Sequence, residues 1–274
     1  MSPVSKLFLP PTELAGCVHS AIYRDTRGAA LSKDDRLNYF PASPLVSMTV
    51  VTCGELQYLA SNDEAGGVEK ISSMPRLFVM GPRSKPLVSR AAGEVVATTL
   101  GIYPDAWLHL GGDQEFSQAP ERLVAAFDCL TTKERPEEGW QSFCGALGPT
   151  WTNSRPTSWP GTNGIEDWAR AIVARALTSG SGKSIRSLER RIKRLSGQTR
   201  RCLDFYSNIE NLHRLALQKS DSSLADIAFD AGYADQSHMG RAVRRATGLS
   251  PARLNQAIRE EEAFWCYRLL GERL

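Results

Sequence analysis

The chain carries little of what covalent chemistry or metal binding needs. It has 4 His and 6 Cys in 274 residues, and the cysteines, at positions 17, 53, 129, 144, 202 and 266, form no Cys-x-x-Cys pair. That spread argues against a disulfide framework and against a structural zinc site, so all six are expected to be reduced structural thiols. Cys17 and His19 stand two positions apart, as metal ligands can. His109 and His213 bring no cysteine at ligand spacing, and a half-exposed strand pair is the better expectation. No Gly-x-Ser-x-Gly, His-Glu-x-x-His or paired-carboxylate pattern occurs. The run SGSGKS at Ser179–Ser184 lacks the glycine that a phosphate loop requires, since that position is Leu177, and no strand leads into it. No catalytic residue, cofactor or metal is therefore expected, and the chain is not read as an enzyme. Long apolar runs are missing too. No stretch could span a bilayer, and MSPVSKLFLPPTEL lacks the basic segment and apolar core of a secretory signal. The expectation is a cytoplasmic protein with no membrane partner.

What is present is unevenly distributed charge. The whole chain carries +3, yet from Ile165 onward there are 19 Lys and Arg against 13 Asp and Glu, a net of +6, while the first 164 residues carry −3. An acidic half joined to a basic half suggests two tasks, the basic one directed at a polyanion. The break coincides with PTWTNSRPTSWPGTNG (149–164), whose Pro, Gly, Ser, Thr and Asn content and lack of apolar period read as a linker. Before it, the β-type runs LVSMTVVTCG, ELQYLA, RLFVMGP and EVVATTLGIYP alternate with turns, and helical patterns follow around PERLVAAFDCLTT and EGWQSFCGAL. After it every pattern is helical. The expected fold is two-domain: an N-terminal α+β domain (1–148) with an antiparallel, barrel-like sheet, the linker, an all-α domain with a double helix-turn-helix (165–259), and an apolar tail (260–274).

The second helical unit is the more explicit. Ser223 and Asp226 form a capping box before a helix whose Leu224, Ile227, Ala228 and Ala231 share one face, and Gly232 ends it. Tyr233 and Ala234 make the turn and Asp235 caps the next helix. In that helix Met239, Ala242, Val243 and Ala246 should face inward, leaving Gln236, Ser237, Gly240, Arg241, Arg244 and Arg245 outside. Gly248 stops it, and Ser250-Pro251 starts another. An amide and a hydroxyl at the tip followed by arginines suit a helix that enters a major groove end-first: Arg pairs with guanine, Gln with adenine, and the remaining cations take phosphates. In the first unit Ser184 caps IRSLERRIKRLSG, with Leu188, Ile192 and Leu195 inside and Arg186, Glu189, Arg190, Lys193 and Arg194 outside. Gly180 and Gly182 interrupt the helix expected just before it. A charged solvent face would explain one such helix. Two of them, both capped and one preceded by a helix, glycine and turn, favour DNA recognition.

The run LADIAFDAGYADQSHMGRAVRRATGLSPARL resembles the C-terminal signature of AraC/XylS-type regulators, and SIRSLERRIKRLSG is similar to the first-unit pattern of that family. The resemblance covers Ile165 to Arg259 and departs at Met239 and Val243, where phenylalanine is usual, and in the short stretch before Ser184. It implies one helix of each unit in a major groove of double-stranded DNA. Position by position it implies Arg186, Glu189 and Arg190 in the first unit, and Gln236, Ser237, His238 and Arg241 in the second. YFPASPLVSMTVV, RLFVMGPRSKPL and EVVATTLGIYP resemble an uncharacterised domain found ahead of such units, which implies sensing of a small-molecule effector or dimerisation. The reading is a sequence-specific transcription regulator, with a homodimer and a contact to RNA polymerase left open. A second class is a repair methyltransferase bearing the same DNA-binding module. It would need an activated cysteine, and Cys17, Cys53, Cys129 and Cys144 show no such setting in the sequence. The patch Phe264, Trp265, Tyr267, Leu269 and Leu270 is expected to pack onto the helical domain.

Overall fold

The computed structural model describes residues 1–60, 70–156, 159, 161, 164–179, 184–218 and 224–271. Its N-terminal part holds the strands β1 (Val4–Phe8), β2 (Val18–Asp25), β3 (Leu37–Phe40), β4 (Val46–Cys53), β5 (Leu56–Ala60), β6 (Lys70–Ser73), β7 (Leu77–Met80), β8 (Leu87–Ala91) and β9 (Val96–Ile102). They form two antiparallel sheets, ordered β1-β2-β9-β4-β7 and β3-β8-β5-β6. The chain crosses from one sheet to the other at Gly54, with φ +76°, where a Cβ would fall 1.9 Å from the Glu94 carbonyl oxygen; glycine alone fits. The sheets face each other across Val51, Leu56, Ala91, Val95 and Ala97. This is the α+β, antiparallel domain that the alternating runs imply.

Three helices follow: α1 (Pro104–His109), α2 (Glu121–Phe127) and α3 (Pro136–Ser154). The last runs into the stretch expected to be linker. Residues 149–154 are helical, and Trp151 is wholly buried, edge-on to Trp159 at 5.0 Å. Trp140, Phe143, Leu147 and Trp151 recur at helical spacing, and the burial of their rings carries the helix through Pro149 despite the amide hydrogen bond that proline removes. Beyond it, Trp159 Nε1 donates to the Gly16 carbonyl (3.1 Å), so the connection is fastened to the β domain.

The remaining helices are α4 (Ile165–Thr178), α5 (Ile185–Ser196), α6 (Arg200–Gln218), α7 (Leu224–Asp230), α8 (Gln236–Thr247), α9 (Pro251–Glu260) and α10 (Trp265–Gly271). One apolar cluster runs without interruption from Val18, Met48 and Leu100 in the sheet, through Trp107, Phe127 and Phe143, to Trp168, Ile172, Ile192 and Leu203 on α4, α5 and α6. A buried polar contact accompanies it: Asp105 of α1 accepts from Trp168 Nε1 (2.8 Å) and from Arg175 (2.5 Å). Burial pushes the Asp105 carboxyl above the usual range although both partners pull the other way.

Two expectations are corrected. Cys17 and His19, expected to be half exposed, are buried: His19 lies on β2, an interior strand of its sheet, and Cys17 directly precedes it in the apolar core. The tail does not pack onto the helical domain alone. Trp265, Cys266 and Leu269 pack with Ile22, Leu7 and Phe40 of the β domain, and Trp265 Nε1 donates to Asn38 (2.8 Å). Arg24 binds Glu262 (2.7 Å) and lies over the Trp265 ring. The apolar character of the tail was readable in the sequence; the surface it covers is set by distant strands.

Candidate nucleic-acid interface

The second unit follows its sequence closely. α7 ends at Gly232, with φ +78°, and Ala231 and Tyr233 turn inward beside it. The Asp235 carboxylate accepts the His238 backbone N–H (2.6 Å), opening α8. Met239, Val243 and Ala246 are buried, while Gln236, Ser237, His238, Arg241, Arg244 and Arg245 are exposed. Gly248 closes α8 in the left-handed conformation, and the Ser250 hydroxyl caps α9. Ser223 of the expected capping box lies outside the described residues. The core of this unit is its own: Leu212, Ile227, Ala228, Ala231, Tyr233, Met239 and Val243.

The first unit is α4, a connection and α5. The helix before α5 is α4, the run IEDWARAIVARAL, which ends at Thr178, before Gly180 and Gly182; those two glycines lie outside the described residues. Arg191 ties α5 back to it by donating Nε–H to the Ala176 carbonyl (2.6 Å), one of the orphan carbonyls of the last turn of α4. The Ser184 hydroxyl accepts the Ser187 backbone N–H (3.2 Å), and Gly197 ends α5 at φ +71°. Ile192 is buried, Leu188 and Leu195 half-buried, and Arg186, Arg190, Lys193 and Arg194 exposed.

Most of the outward residues therefore stand on two capped helices whose opposite faces are buried. Arg186, Arg190, Lys193, Arg194, Arg241 and Arg244 form no ion pair with another described residue, which leaves six cations facing solvent. Two members differ. Glu189 is half-buried and its carboxylate reaches the backbone N–H of Arg200 (3.4 Å), at the start of α6. Arg245 lies over the Phe205 ring of α6, 4.2 Å from its centroid. His238 stands edge-on to Tyr233 at 5.3 Å, beside the turn. The residue that sequence reasoning missed is Ile185, 81% exposed at the first position of α5. Its signal was its place directly after the cap, where an inward-facing apolar residue has no neighbour to meet.

Three of the six thiols are raised by burial. Burial holds Cys17 well above the ordinary thiol range and pushes Cys144 and Cys266 up to about 12, the reverse of what a reactive thiolate needs. No group of metal-binding side chains occurs among the described residues, and among them no helix is long and apolar enough to cross a membrane.

Residues 177–257 match the family model of a helix-turn-helix domain. A 94-residue stretch is 34% identical to the HTH-type transcriptional activator RhaS of Escherichia fergusonii; it covers 34% of this chain and 33% of that protein, so the likeness spans about a third of the relative's length. Among solved structures, ToxT from Vibrio cholerae aligns over 92% of this chain and 97% of its own, at 9% identity and a TM-score of 0.41. A form of ToxT bound to unsaturated fatty acid aligns over 92% and 94%, at 12% identity and a TM-score of 0.39. The C-terminal region therefore matches a helix-turn-helix domain over residues 177–257.

Proposed function

We propose that the chain is a sequence-specific, DNA-binding transcription regulator that reads two major-groove segments with α5 and α8 and responds to a small molecule through its β domain. The observation that carries this reading is the pairing of two capped helices whose inward faces are buried and whose outward faces present free cations. Gln236, Ser237, His238 and Arg241 occupy the tip and first turn of α8, where base edges are reached, and Arg244 lies further back, toward phosphate. On α5, Arg186 and Arg190 take the base-reading positions, and Ile185 offers an apolar contact for a thymine methyl. Lys193 and Arg194 are assigned to phosphates. Glu189 and Arg245 act as positioning residues, one at the start of α6 and the other on Phe205. α6 lies between the two readers, and its 19 residues span about 28 Å at 1.5 Å per residue. That is most of one DNA turn, roughly 34 Å. The regulator needs no catalytic group, and the raised thiols of Cys17 and Cys144 disfavour the methyltransferase alternative at those two positions.

The test is selection of sites from random duplex DNA with the full-length chain, followed by footprinting. Two protected segments about ten base pairs apart are expected, and changing Arg186 and Arg190 together to Ala should remove one of them. With about six phosphate contacts, log K should fall with log salt at a slope near −5. Failure to enrich any sequence, or affinity indifferent to salt, would sink the reading.

A further inference from the structure

The helix-turn-helix match ends at residue 257, and beyond it the short turn Glu262–Phe264 and α10 pack on two sides at once. One side is the β domain. Trp265 is buried with Leu7, Ile22 and Phe40, its ring edge-on to Phe40 at 5.8 Å. Its Nε1–H donates to Asn38 of β3, whose Nδ2 donates in turn to Ser89 of β8 (3.3 Å). The Glu262 carboxylate takes the buried Arg24 guanidinium of β2 on one oxygen and Arg268 of α10 on the other (3.0 Å). Arg24 also donates to Ser5 of β1 (2.6 Å).

The other side is the second helix-turn-helix unit. Phe264 and Tyr267 share a cluster with Leu254, Ala257 and Ile258 of α9 and with Leu37 and Tyr39 of β3. The Phe264 ring stacks on Tyr39 at 4.5 Å. Leu254 packs as well against the cluster of Met239 and Val243, so α9 moves with the core of that unit. Arg268 Nη1 donates to the Ile258 and Glu261 carbonyls (2.8 and 2.9 Å), where α9 ends and its carbonyls need partners. The first unit is joined to the β domain differently, through the long apolar core. Both readers are thus fastened to one body, α5 by that core and α8 by way of α9 and the tail. A tether such as α6 limits the reach of two modules, whereas a shared scaffold fixes their distance and rotation in advance.

We propose that the tail clamps the second reader to the β domain, and that Glu262 and Trp265 are positioning residues that set the spacing at which α5 and α8 meet DNA. The clamp is a property of the folded chain; its consequence for spacing rests on the function proposed above. Trp265 is buried and Glu262 carries the sign of phosphate, so neither acts by touching DNA. One base pair added between two grooves displaces the second by about 3.4 Å along the axis and about 35° around it. A clamped pair of readers cannot follow that step. A pair joined by α6 alone follows it, and binds the native spacing more weakly because the second reader's effective concentration falls.

The full-length parent is compared with E262Q/W265F, which removes the carboxylate charge and the indole N–H while nearly keeping volume. Spin labels on non-natural residues at Ala174 of α4 and Ala252 of α9, both exposed, report the distance between the units without DNA. A narrow distribution is expected in the parent and a broad one in the variant. Binding is then measured to the selected two-segment duplex and to that duplex with one base pair added or removed between segments. A fourth duplex keeps only the segment still protected after Arg186 and Arg190 are changed to Ala. The parent should lose about tenfold or more on either change of spacing, and the variant about threefold or less. The single-segment duplex should bind both chains alike, which a tail needed merely to fold the second unit would not allow. Equal distance distributions, an unchanged spacing penalty in the variant, or a loss of single-segment binding each overturn the proposal. A parent indifferent to spacing overturns it too. If the double variant does not fold, R268M takes its place, loosening the tail from α9 while leaving Arg24 its carboxylate. A parent that selects no DNA sequence removes the proposed function and the spacing role with it, and the spin-label distances then decide the clamp alone.

Discussion

In the first helix-turn-helix unit Ile192 packs into the same core as Met48 and Trp107 of the β domain, whereas in the second Met239 and Val243 pack into a small cluster closed by α6 and α7. Both recognition helices carry the same local parts: a polar N-cap whose side chain accepts a backbone N–H, an outward row of arginines and a left-handed glycine at the end. Their foundations differ. α5 inherits its position from residues about eighty positions earlier: α1 packs against it, and Phe116, itself held at φ +53°, lies directly against Gly197. α8 is steadied mainly by its neighbours in sequence and touches the β domain only near its end, through Ala246 and Gly248. Matching helix-turn-helix grammar therefore does not imply matching rigidity. The second unit is the one whose core is its own.

The largest test of this contrast removes the foundation. A fragment beginning at Gly164 would expose Trp168, Ile172, Ala176 and Ile192, all now buried against the N-terminal part. At roughly 1.5–3 kcal/mol for each large side chain, the first unit should lose several kcal/mol. Hydrogen exchange should then show α4 and α5 unprotected in the fragment while α7 and α8 retain protection. Equal protection of both units would dissolve the comparison.

Next come the glycines. At Gly197 a Cβ would lie 2.5 Å from the Phe116 ring, while at Gly232 it would meet nothing within 4 Å. Gly197→Val therefore combines a strained backbone with a steric clash, on the order of 3–5 kcal/mol, and Gly232→Val carries the backbone term alone, on the order of 1–3 kcal/mol. Urea unfolding that finds the two equal would show that Phe116 yields freely. On the DNA side, Arg241→Ala should cost about 1–3 kcal/mol of binding and relax preference at one or two base pairs. Lys193→Ala should weaken all sequences alike and by less. Identical specificity profiles for the two variants would refute that division of roles.

The smallest effect concerns the helix that joins the units. Burial holds His213 of α6 below its ordinary value near 6.5. The folded state then binds fewer protons than the unfolded one. Its contribution is complete above about 6.5 and is lost as pH falls toward the lowered value. Melting between pH 7 and pH 5 should show this decline, and His213→Leu should flatten it. An unchanged slope in the variant would assign the decline to other groups.

The α8 unit could be read almost entirely from its sequence, because its caps, turn and buried face are local: Asp235 to His238, Gly232, and Met239 to Val243. The α5 helix and the run IEDWARAIVARAL of α4 were equally readable, but nothing near Ile192 in sequence announced that its core reaches the β domain. The tail was recognised as apolar and assigned only one of its two surfaces, α9 and not the β strands, since a hydrophobic stripe states that it will be covered and not by what. Trp151 was lost in a linker composition because proline, serine and threonine counts outweighed one long-range burial.

What the sequence by itself determined is what depends on neighbours within a turn or two of helix: the period of each buried face, the caps, the left-handed stops and the sign of the exposed charge. Those properties follow from backbone geometry and side-chain type, which no distant contact alters. Only the tertiary structure decided that one core runs from β strands into α4, α5 and α6, and that α10 packs against the β domain. Each of these is a meeting of segments far apart in the chain, and burial attracts apolar groups without naming their partners.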